Sequence, residues 1–204
     1  MHEYLSNPKI LQFEISSMCN VLCLGCVRTA RNFNTKKSVI EDKHYLTIEN
    51  FKRLIIQFGS IERVEFCGTI DEPMMHPQFL DMIEFLVSVG IRFSVHTNAS
   101  LRNKSDWIKL GKLSRDNGVV NFSIDGFKEE HEFYRQKSNY EKIIENAQAF
   151  LDAGGNANWQ MVVFPWNEHQ VEDCKQKSIK MGFENFRVRQ DRSIVSQLGK
   201  EGII

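Results

Sequence analysis

Three cysteines stand close together near the start of the chain, in the segment Cys19-Asn-Val-Leu-Cys23-Leu-Gly-Cys26. Cysteine thiolates are preferred ligands of zinc and of iron–sulfur clusters, and this spacing lets three of them converge on one metal centre. A structural zinc site would need a fourth protein ligand, such as Cys67, Cys174 or one of the six histidines. A four-iron cluster would instead keep one iron open for a substrate or cofactor. Zinc, an iron–sulfur cluster and three unrelated thiols are therefore the alternatives at this stage.

The overall composition is that of an ordinary soluble globular protein, with 42% hydrophobic and 25% charged residues. The 204 residues fit a single domain, 1–204, or a piece of a longer chain. The 26 acidic and 26 basic residues balance, so no net charge favours nucleic acid or an anionic membrane. No run approaches the ~20 apolar residues that a membrane helix needs. Five cysteines, with three of them clustered, are poor material for disulfides and predict a reducing, cytoplasmic location.

Six short segments have the β-branched and aromatic character of strands: residues 10–16, 63–66, 91–96, 119–124, 158–164 and 185–189. Five segments between them repeat apolar residues at helical spacing: 48–58, 79–87, 105–113, 140–151 and about 167–181. We expect Ser105 to be the N-cap of the third helix. For the fourth, Ser138 and Glu141 have the spacing of a capping box.

Strands that alternate with helices of this length pair in parallel through right-handed crossovers. The pattern fits either an open doubly wound sheet or part of a (β/α) barrel, and periodicity alone does not separate the two. In both folds, ligands bind beyond the C-terminal ends of the strands. The longest stretch without a regular pattern, about residues 19–45, follows the first strand and contains the three cysteines. This position is typical of a functional loop.

A C-x3-C-x2-C motif directly after a first strand resembles the signature of the radical S-adenosylmethionine (radical SAM) superfamily, and further landmarks follow in order along nearly the whole chain. The resemblance implies an α/β fold, a partial (β/α)6 TIM-like barrel of parallel strands, with a [4Fe–4S] cluster on Cys19, Cys23 and Cys26. It implies that the reduced cluster cleaves S-adenosylmethionine (SAM), and that the resulting 5′-deoxyadenosyl radical takes hydrogen from a substrate, a peptide or small molecule. An external one-electron reductant of the flavodoxin or ferredoxin type is implied as a partner.

The segment after the second strand, Cys67-Gly-Thr-Ile-Asp-Glu-Pro73, resembles the Gly-Gly-Glu-Pro-like segment that holds the amino group of SAM in this family. The resemblance implies that Gly68 and Thr69 contribute to this site. Glu72 matches the acidic position because Pro73 follows it. Thr69, Ile70 and Asp71 stand where small glycines are common, so Asp71 and Glu72 are both candidates for the residue that faces SAM.

The next two strand ends also resemble family segments. The third ends in Thr97 and Asn98. The fourth ends in the segment that carries Ser123 and Asp125, and Arg135 lies further on. By the resemblance, these residues bind SAM, with the arginine paired to its carboxylate. Taken without the resemblance, Ser123 is a strand terminus, Asp125 caps a turn and Arg135 lies on a solvated helix face.

Further polar candidates near adenine or the substrate are Gln160 and Asn167, at the fifth strand and its exit. Gly25 departs from the family, which often has an aromatic residue before the third cysteine. No cysteine follows Cys174, so we expect no ligands for a C-terminal auxiliary cluster. The rival hypotheses are a non-catalytic iron–sulfur electron carrier and a zinc-stabilised α/β binding domain. Metal analysis separates zinc from a cluster, and SAM cleavage separates a carrier from an enzyme.

Overall fold

The computed structural model describes residues 7–29, 38, 40, 42–191 and 195–201. The strands are β1 Ile10–Phe13, β2 Leu22–Cys23, β3 Arg63–Phe66, β4 Arg92–Thr97, β5 Gly118–Ser123, β6 Arg135–Gln136, β7 Ala157–Val163 and β8 Asn185–Gln190. The helices are α1 Ile48–Phe58, α2 Phe79–Ser88, α3 Lys104–Ser114, α4 Lys128–Tyr134, α5 Tyr140–Asp152, α6 Val171–Met181 and α7 Val195–Leu198. Within these ranges, none of the helices has the length and apolarity that crossing a bilayer requires.

Six strands form one sheet in the order β1-β3-β4-β5-β7-β8, and every neighbouring pair is parallel. The order follows the chain without reversal, whereas a doubly wound sheet reverses direction at a switch point. With right-handed crossovers, an unreversed order places successive helices on the same side of the sheet, as in a barrel. The predicted α/β fold of parallel strands, with the strand order of a partial barrel, is therefore confirmed.

The main hydrophobic core of the described residues lies between the helices and the face of the sheet that they cover. Strand alternation sends Phe122 to this side, where its ring lies 5.4 Å from Trp107 of α3 and 5.4 Å from Phe150 of α5, measured between centroids. In α5, Ile143, Ala147 and Phe150 are buried at i, i+4 and i+7. The apolar periodicity therefore predicts the buried faces of these elements correctly.

The other face of the sheet, the open face, carries polar side chains from the alternate positions of the same strands. Four of them, one on each of four neighbouring strands, form a ladder of hydrogen bonds. In this ladder, the Nδ2 of each Asn donates to the side chain on the preceding strand of the sheet. The donors and acceptors are Asn121 to Ser94 at 3.1 Å, Asn158 to Asn121 at 3.0 Å and Asn185 to Asn158 at 2.9 Å. Gln160 also donates to Asn121, at 3.1 Å. This face is therefore suited to a polar ligand.

Two predicted helix starts are wrong by one or two residues. The N-cap of α5 is Asn139, whose side chain accepts from the Lys142 amide at 2.9 Å. The Ser138 hydroxyl is instead used by the preceding turn, where it donates to the Arg135 carbonyl at 2.6 Å. For α3, the N-cap is Asn103 rather than Ser105. In both cases an asparagine nearer to the helix start provides the acceptor.

The predicted first strand is too long, because β1 ends at Phe13 and the Glu14 side chain accepts a hydrogen bond from the loop that follows β3. The short elements β2, β6 and α4 were not predicted. The strands β2 and β6 form an antiparallel pair, with Cys23 opposite Arg135. Of the predicted irregular stretch 19–45, residues 30–37, 39 and 41 lie outside the described residues.

Candidate functional site

One cavity, the cysteine cavity, lies beyond the C-terminal ends of β1, β3, β4 and β5, with β2 and β6 at its side. Of the residues predicted to hold the cluster or SAM, all except Asp125 line it: Cys19, Cys23, Cys26, Gly68, Thr69, Asp71, Glu72, Thr97, Asn98, Ser123 and Arg135. The further polar candidates Gln160 and Asn167 are not among the lining residues. Arg28 and His96 line it too, and sequence reasoning did not select them. The structure therefore brings residues from across the first two thirds of the chain to one place.

The cysteine loop is held there by contacts with distant parts of the chain. The Leu24 amide donates to the Tyr134 carbonyl at 3.0 Å, next to the β2–β6 pairing. On the other side, the Glu72 amide donates to the Met18 carbonyl at 2.7 Å. The Asn20 side chain contacts the segment that follows β4, where its oxygen accepts from the side-chain amide of Asn98 at 3.0 Å. The loop is thus anchored on both sides of the cavity.

Each of the three cysteine sulfurs lies near an N–H donor. Asn98 Nδ2 is 3.8 Å from the Cys19 sulfur, and Arg135 Nη1 is 3.8 Å from the Cys23 sulfur. The backbone amide of Arg28 is 3.5 Å from the Cys26 sulfur. Donors of this kind stabilise negative charge on metal-bound thiolates.

The cysteine thiols are free, and two of them are hard to ionise before a metal binds. Burial, with a further contribution from Glu72, raises the pKa of Cys19 to about 12. Burial also raises the pKa of Cys23 to about 11, although the Arg135 charge opposes the shift. Binding to iron would therefore release protons from these thiols. Among the described residues, no three His, Cys, Asp or Glu side chains are close enough to hold one metal ion.

The Glu72 carboxylate ties the end of β3 to the end of β4. Its Oε1 accepts from the Thr97 hydroxyl at 2.5 Å and from the Met74 amide at 3.2 Å, and its Oε2 accepts from the Asn98 amide at 2.7 Å. Only 2% of the residue is exposed, and burial raises its pKa against the lowering effect of these hydrogen bonds, that from Thr97 first. Most of the acceptor capacity of Glu72 is therefore used within the protein.

Asp71 differs from Glu72 in having an oxygen without a partner. Its Oδ2 accepts from the Ser16 amide at 2.9 Å, whereas its buried Oδ1 has no hydrogen-bond partner among the described residues. The residue is 4% exposed, and burial together with the nearby Glu14 raises its pKa to about 8. A buried acceptor without a donor costs free energy unless a ligand supplies one. This side of the cavity therefore fits a ligand that carries N–H groups.

Glu14 is a structural residue of the site that sequence reasoning missed. Its carboxylate accepts from the backbone amides of residues 69, 70 and 71, at 2.9, 3.1 and 3.1 Å. The loop also needs Gly68, which has φ of +59° and whose added Cβ would lie 2.9 Å from the His96 carbonyl. The only signal in the sequence is an acidic residue at the end of the first strand.

Arg135 is largely buried, with 13% of its side chain exposed, rather than solvated, and Asp125 holds it from outside the cavity. Arg135 Nε donates to Asp125 Oδ2 at 2.7 Å, and the aspartate side chain is fully buried. The other oxygen of Asp125 accepts from the Val162 amide of β7 at 2.8 Å. Asp125 therefore positions the arginine, and no direct contact with the cavity is seen for it. Asn167 is structural too, since its Oδ1 accepts from the Phe164 amide at 2.7 Å in the turn after β7.

Arg28 brings a second buried cation to the cavity. Its Nη1 donates to the carbonyls of Ser17 and Ile70, at 2.5 and 2.8 Å, and within the part of the chain that the structure describes its buried Nε has no partner. Only 4% of the residue is exposed, and no carboxylate in the described part of the chain forms an ion pair with it. A buried charge of this kind needs an anionic partner, so the site fits an anionic group bound beside the cysteines.

Comparison with protein families gives a match to the family model of the radical SAM superfamily over residues 13–177. Among curated proteins, the tungsten-containing aldehyde ferredoxin oxidoreductase cofactor-modifying protein of Pyrococcus furiosus is 28% identical over 117 residues. The match covers 57% of this chain and 31% of that protein.

Solved structures share the fold. Streptococcus suis SuiB bound to SAM superposes with a TM-score of 0.73 and 19% identity, covering 91% of this chain and 41% of that chain. SuiB bound to its precursor peptide SuiA gives a TM-score of 0.74 at 19% identity, covering 91% of this chain and 40% of that one. For anSMEcpe with bound AdoMet the TM-score is 0.69 at 19% identity, with 89% and 50% coverage. The chain thus spans half or less of the length of each of these relatives.

Proposed function

This chain belongs to the radical SAM superfamily, and on that premise we propose that it is an enzyme that holds one [4Fe–4S] cluster on Cys19, Cys23 and Cys26 and binds SAM beside it. One observation carries the proposal: the three cysteines line the same cavity as an unpartnered acid, Asp71, and an uncompensated cation, Arg28. When bound, the reduced cluster supplies one electron for the cleavage of SAM, and SAM supplies the 5′-deoxyadenosyl radical that takes hydrogen from the substrate.

The unpartnered acid and the uncompensated cation of the cavity match the two ends of an amino acid group. We assign Asp71 to the amino group of SAM, because its Oδ1 is buried and no described residue donates to it. We assign Arg28 to the carboxylate, because Arg135 is already neutralised by Asp125. Glu72 would then act mainly by ordering Thr97 and Asn98, and it keeps one lone pair on Oε2 for the amino group.

The remaining predicted residues complete the pocket. Gly68 and Thr69 offer backbone groups on the loop that Glu14 holds. Thr97 and Asn98 lie beside Cys19, and Ser123 faces the open face of the sheet, where we place the substrate. Arg135 donates toward the Cys23 sulfur and would stabilise the negative charge that reduction adds.

The substrate and the partners are assigned by chemistry and by the relatives. A peptide or a small molecule is the proposed substrate, since SuiB was solved with a precursor peptide and the Pyrococcus protein is described as cofactor-modifying. The proposed electron donor is a flavodoxin or ferredoxin. The free thiols of the described cysteines are typical of a reducing compartment, so we place the enzyme in the cytoplasm.

The test is anaerobic reconstitution followed by incubation with SAM and dithionite. We expect about four irons and four sulfides per chain, the content of one [4Fe–4S] cluster, and slow release of 5′-deoxyadenosine. Cys23→Ala should lose the cluster, whereas the matched change Cys67→Ala should keep it. Stoichiometric zinc in a colourless protein would refute the cluster, and a loaded cluster without SAM cleavage would leave the electron carrier as the function.

A further inference from the structure

Strand β8 places two arginines on the open face of the sheet. Arg187 lies beside Gln160, and Arg189 lies beside Val162, in the register between β7 and β8. Gln160 belongs to the polar ladder of the open face, so both arginines project to the side away from the helices. The residue before Arg187, Phe186, faces the opposite side and packs with Trp159 of the core.

Both arginines lack a counter-ion in the described part of the chain. The acids at the opposite edge of the same face are already engaged. Glu65 pairs with Arg63 at 2.8 Å and accepts from Gln12 at 2.9 Å, and Glu14 holds the loop after β3. The open face therefore has satisfied acids on one edge and uncompensated cations on the other.

The arginines lie close to the cysteine cavity. Ser123, Gln160 and Arg187 stand side by side on three adjacent strands, and Ser123 lines the cavity. Two strand spacings correspond to about 10 Å, which an arginine side chain largely spans. Arg189 lines a second cavity with Tyr134, next to Arg135. Asp191 also borders that cavity, but its Oδ2 accepts two hydrogen bonds from Ser196, at 3.2 and 2.8 Å.

The charges of both arginines also affect His96, on the same face of the sheet. It lines the cysteine cavity, and its pKa is lowered by burial first and then by the Arg189 charge, with a smaller effect of Arg187. The hydrogen bond with Gln160 and the charge of Glu65 oppose this lowering, so His96 lies within reach of charges from both edges of the open face.

We propose that Arg187 and Arg189 form a subsite that binds an oxyanion group of the substrate, a carboxylate or a phosphate, and so orients the substrate over the cysteine cavity. The guanidinium fork matches both groups through paired N–H···O bonds. Two arginines at alternate strand positions point the same way and can hold one such group together. The inference deepens the proposed function and rests on it for the identity of the neighbouring site.

The test uses three small probes that share a phenyl ring: benzoate, phenyl phosphate and the neutral benzamide. Binding to the reconstituted protein is measured by saturation-transfer NMR for the wild type, Arg187→Gln, Arg189→Gln and the control Arg53→Gln, an exposed arginine of α1 on the helix side. We expect an anionic probe to bind at least about tenfold more tightly than benzamide, and each β8 variant to lose about tenfold. The control should be unchanged, and Arg→Lys variants should retain part of the affinity.

Each outcome has a definite meaning. Tighter binding of benzoate identifies a carboxylate group, and tighter binding of phenyl phosphate identifies a phosphate. Equal binding of all three probes, or equal losses in Arg53→Gln and the β8 variants, would overturn the subsite. Release of 5′-deoxyadenosine is measured on the same samples without substrate. If that release fails while the anion preference holds, only the proposed function is lost, and the reverse result removes only the subsite.

Discussion

Asp71→Asn tests the assignment of the SAM amino group at a single atom. In the wild type, the Ser16 amide donates to Asp71 Oδ2 at 2.9 Å, and the Asn side chain can keep its oxygen at this position. It then presents its NH2 group at the position of Oδ1, for which the described residues supply no partner. A donor would face the N–H groups of the ligand, while the fold around residue 71 would lose no hydrogen bond.

The size of the effect follows from the bond that is lost. A hydrogen bond to a charged group contributes about 1.5–3 kcal/mol, so Asp71→Asn should raise the SAM dissociation constant roughly tenfold to 150-fold. Glu72→Gln acts differently, because its carboxylate accepts from Thr97, Met74 and Asn98. An amide there sets a donor against a donor, and we expect it to lower the free energy of unfolding by about 1–3 kcal/mol.

Two measurements separate the roles. SAM binding is followed by equilibrium dialysis on the cluster-loaded protein, and stability by urea unfolding of the cluster-free protein. Glu129→Gln, an exposed carboxylate-to-amide change on α4, is the control for both. The assignment is refuted if Asp71→Asn binds SAM as tightly as the wild type while Glu72→Gln abolishes binding at unchanged stability. Glu72 would then be the residue that faces the amino group.

Three further outcomes are expected. The folded-state pKa of Asp71 is raised from 3.8 to about 8, so between these pH values the native cofactor-free protein binds more protons than the unfolded chain. The free energy of unfolding should therefore fall as pH rises from 4 to 8. Urea midpoints should show a smaller fall for Asp71→Asn. The double variant Asp125→Asn/Arg135→Gln removes the cation near Cys23 without leaving a buried charge. An EPR-monitored redox titration should show the cluster potential lowered by about 60 mV or more, which is tenfold in a one-electron equilibrium. An unchanged potential would contradict the role of Arg135. Phe122→Ala should cost about 3–5 kcal/mol in urea unfolding, because the ring is fully buried between two helices.

Patterns within a single element predicted most of the fold. The strand at residues 63–66 has the predicted bounds, because Val64 and Phe66 alternate with polar neighbours toward the core. The periodicity of α5 predicted its buried face for the same reason. Pairing partners were beyond reach: β2 and β6 have two residues each, and only their contact across 112 residues defines them as strands. The family resemblance, rather than the periodicity, separated the partial barrel from a doubly wound sheet.

The candidate site was predictable in its residue types and less so in their roles. The cysteine spacing and the acidic residues before Pro73 mark the cavity in the sequence. The division of roles between Asp71 and Glu72 depends on which oxygens the fold already uses, and the partners concerned lie 55 and 26 residues away. Glu14 and Arg28 were missed because their importance appears only once the loops they contact are in place.

A short series of contacts joins the proposed cofactor side of the protein to the proposed substrate side. The Cys23 sulfur lies near Arg135, Arg135 pairs with Asp125, and Asp125 accepts from the Val162 amide. Val162 is the neighbour of Arg189 in the register of β7 and β8. Because Asp125 is fully buried and contacts both sides, it sets the position of Arg135 relative to the strand that leads to the β8 arginines. The geometry between cluster and substrate would therefore depend on a residue that touches neither of them.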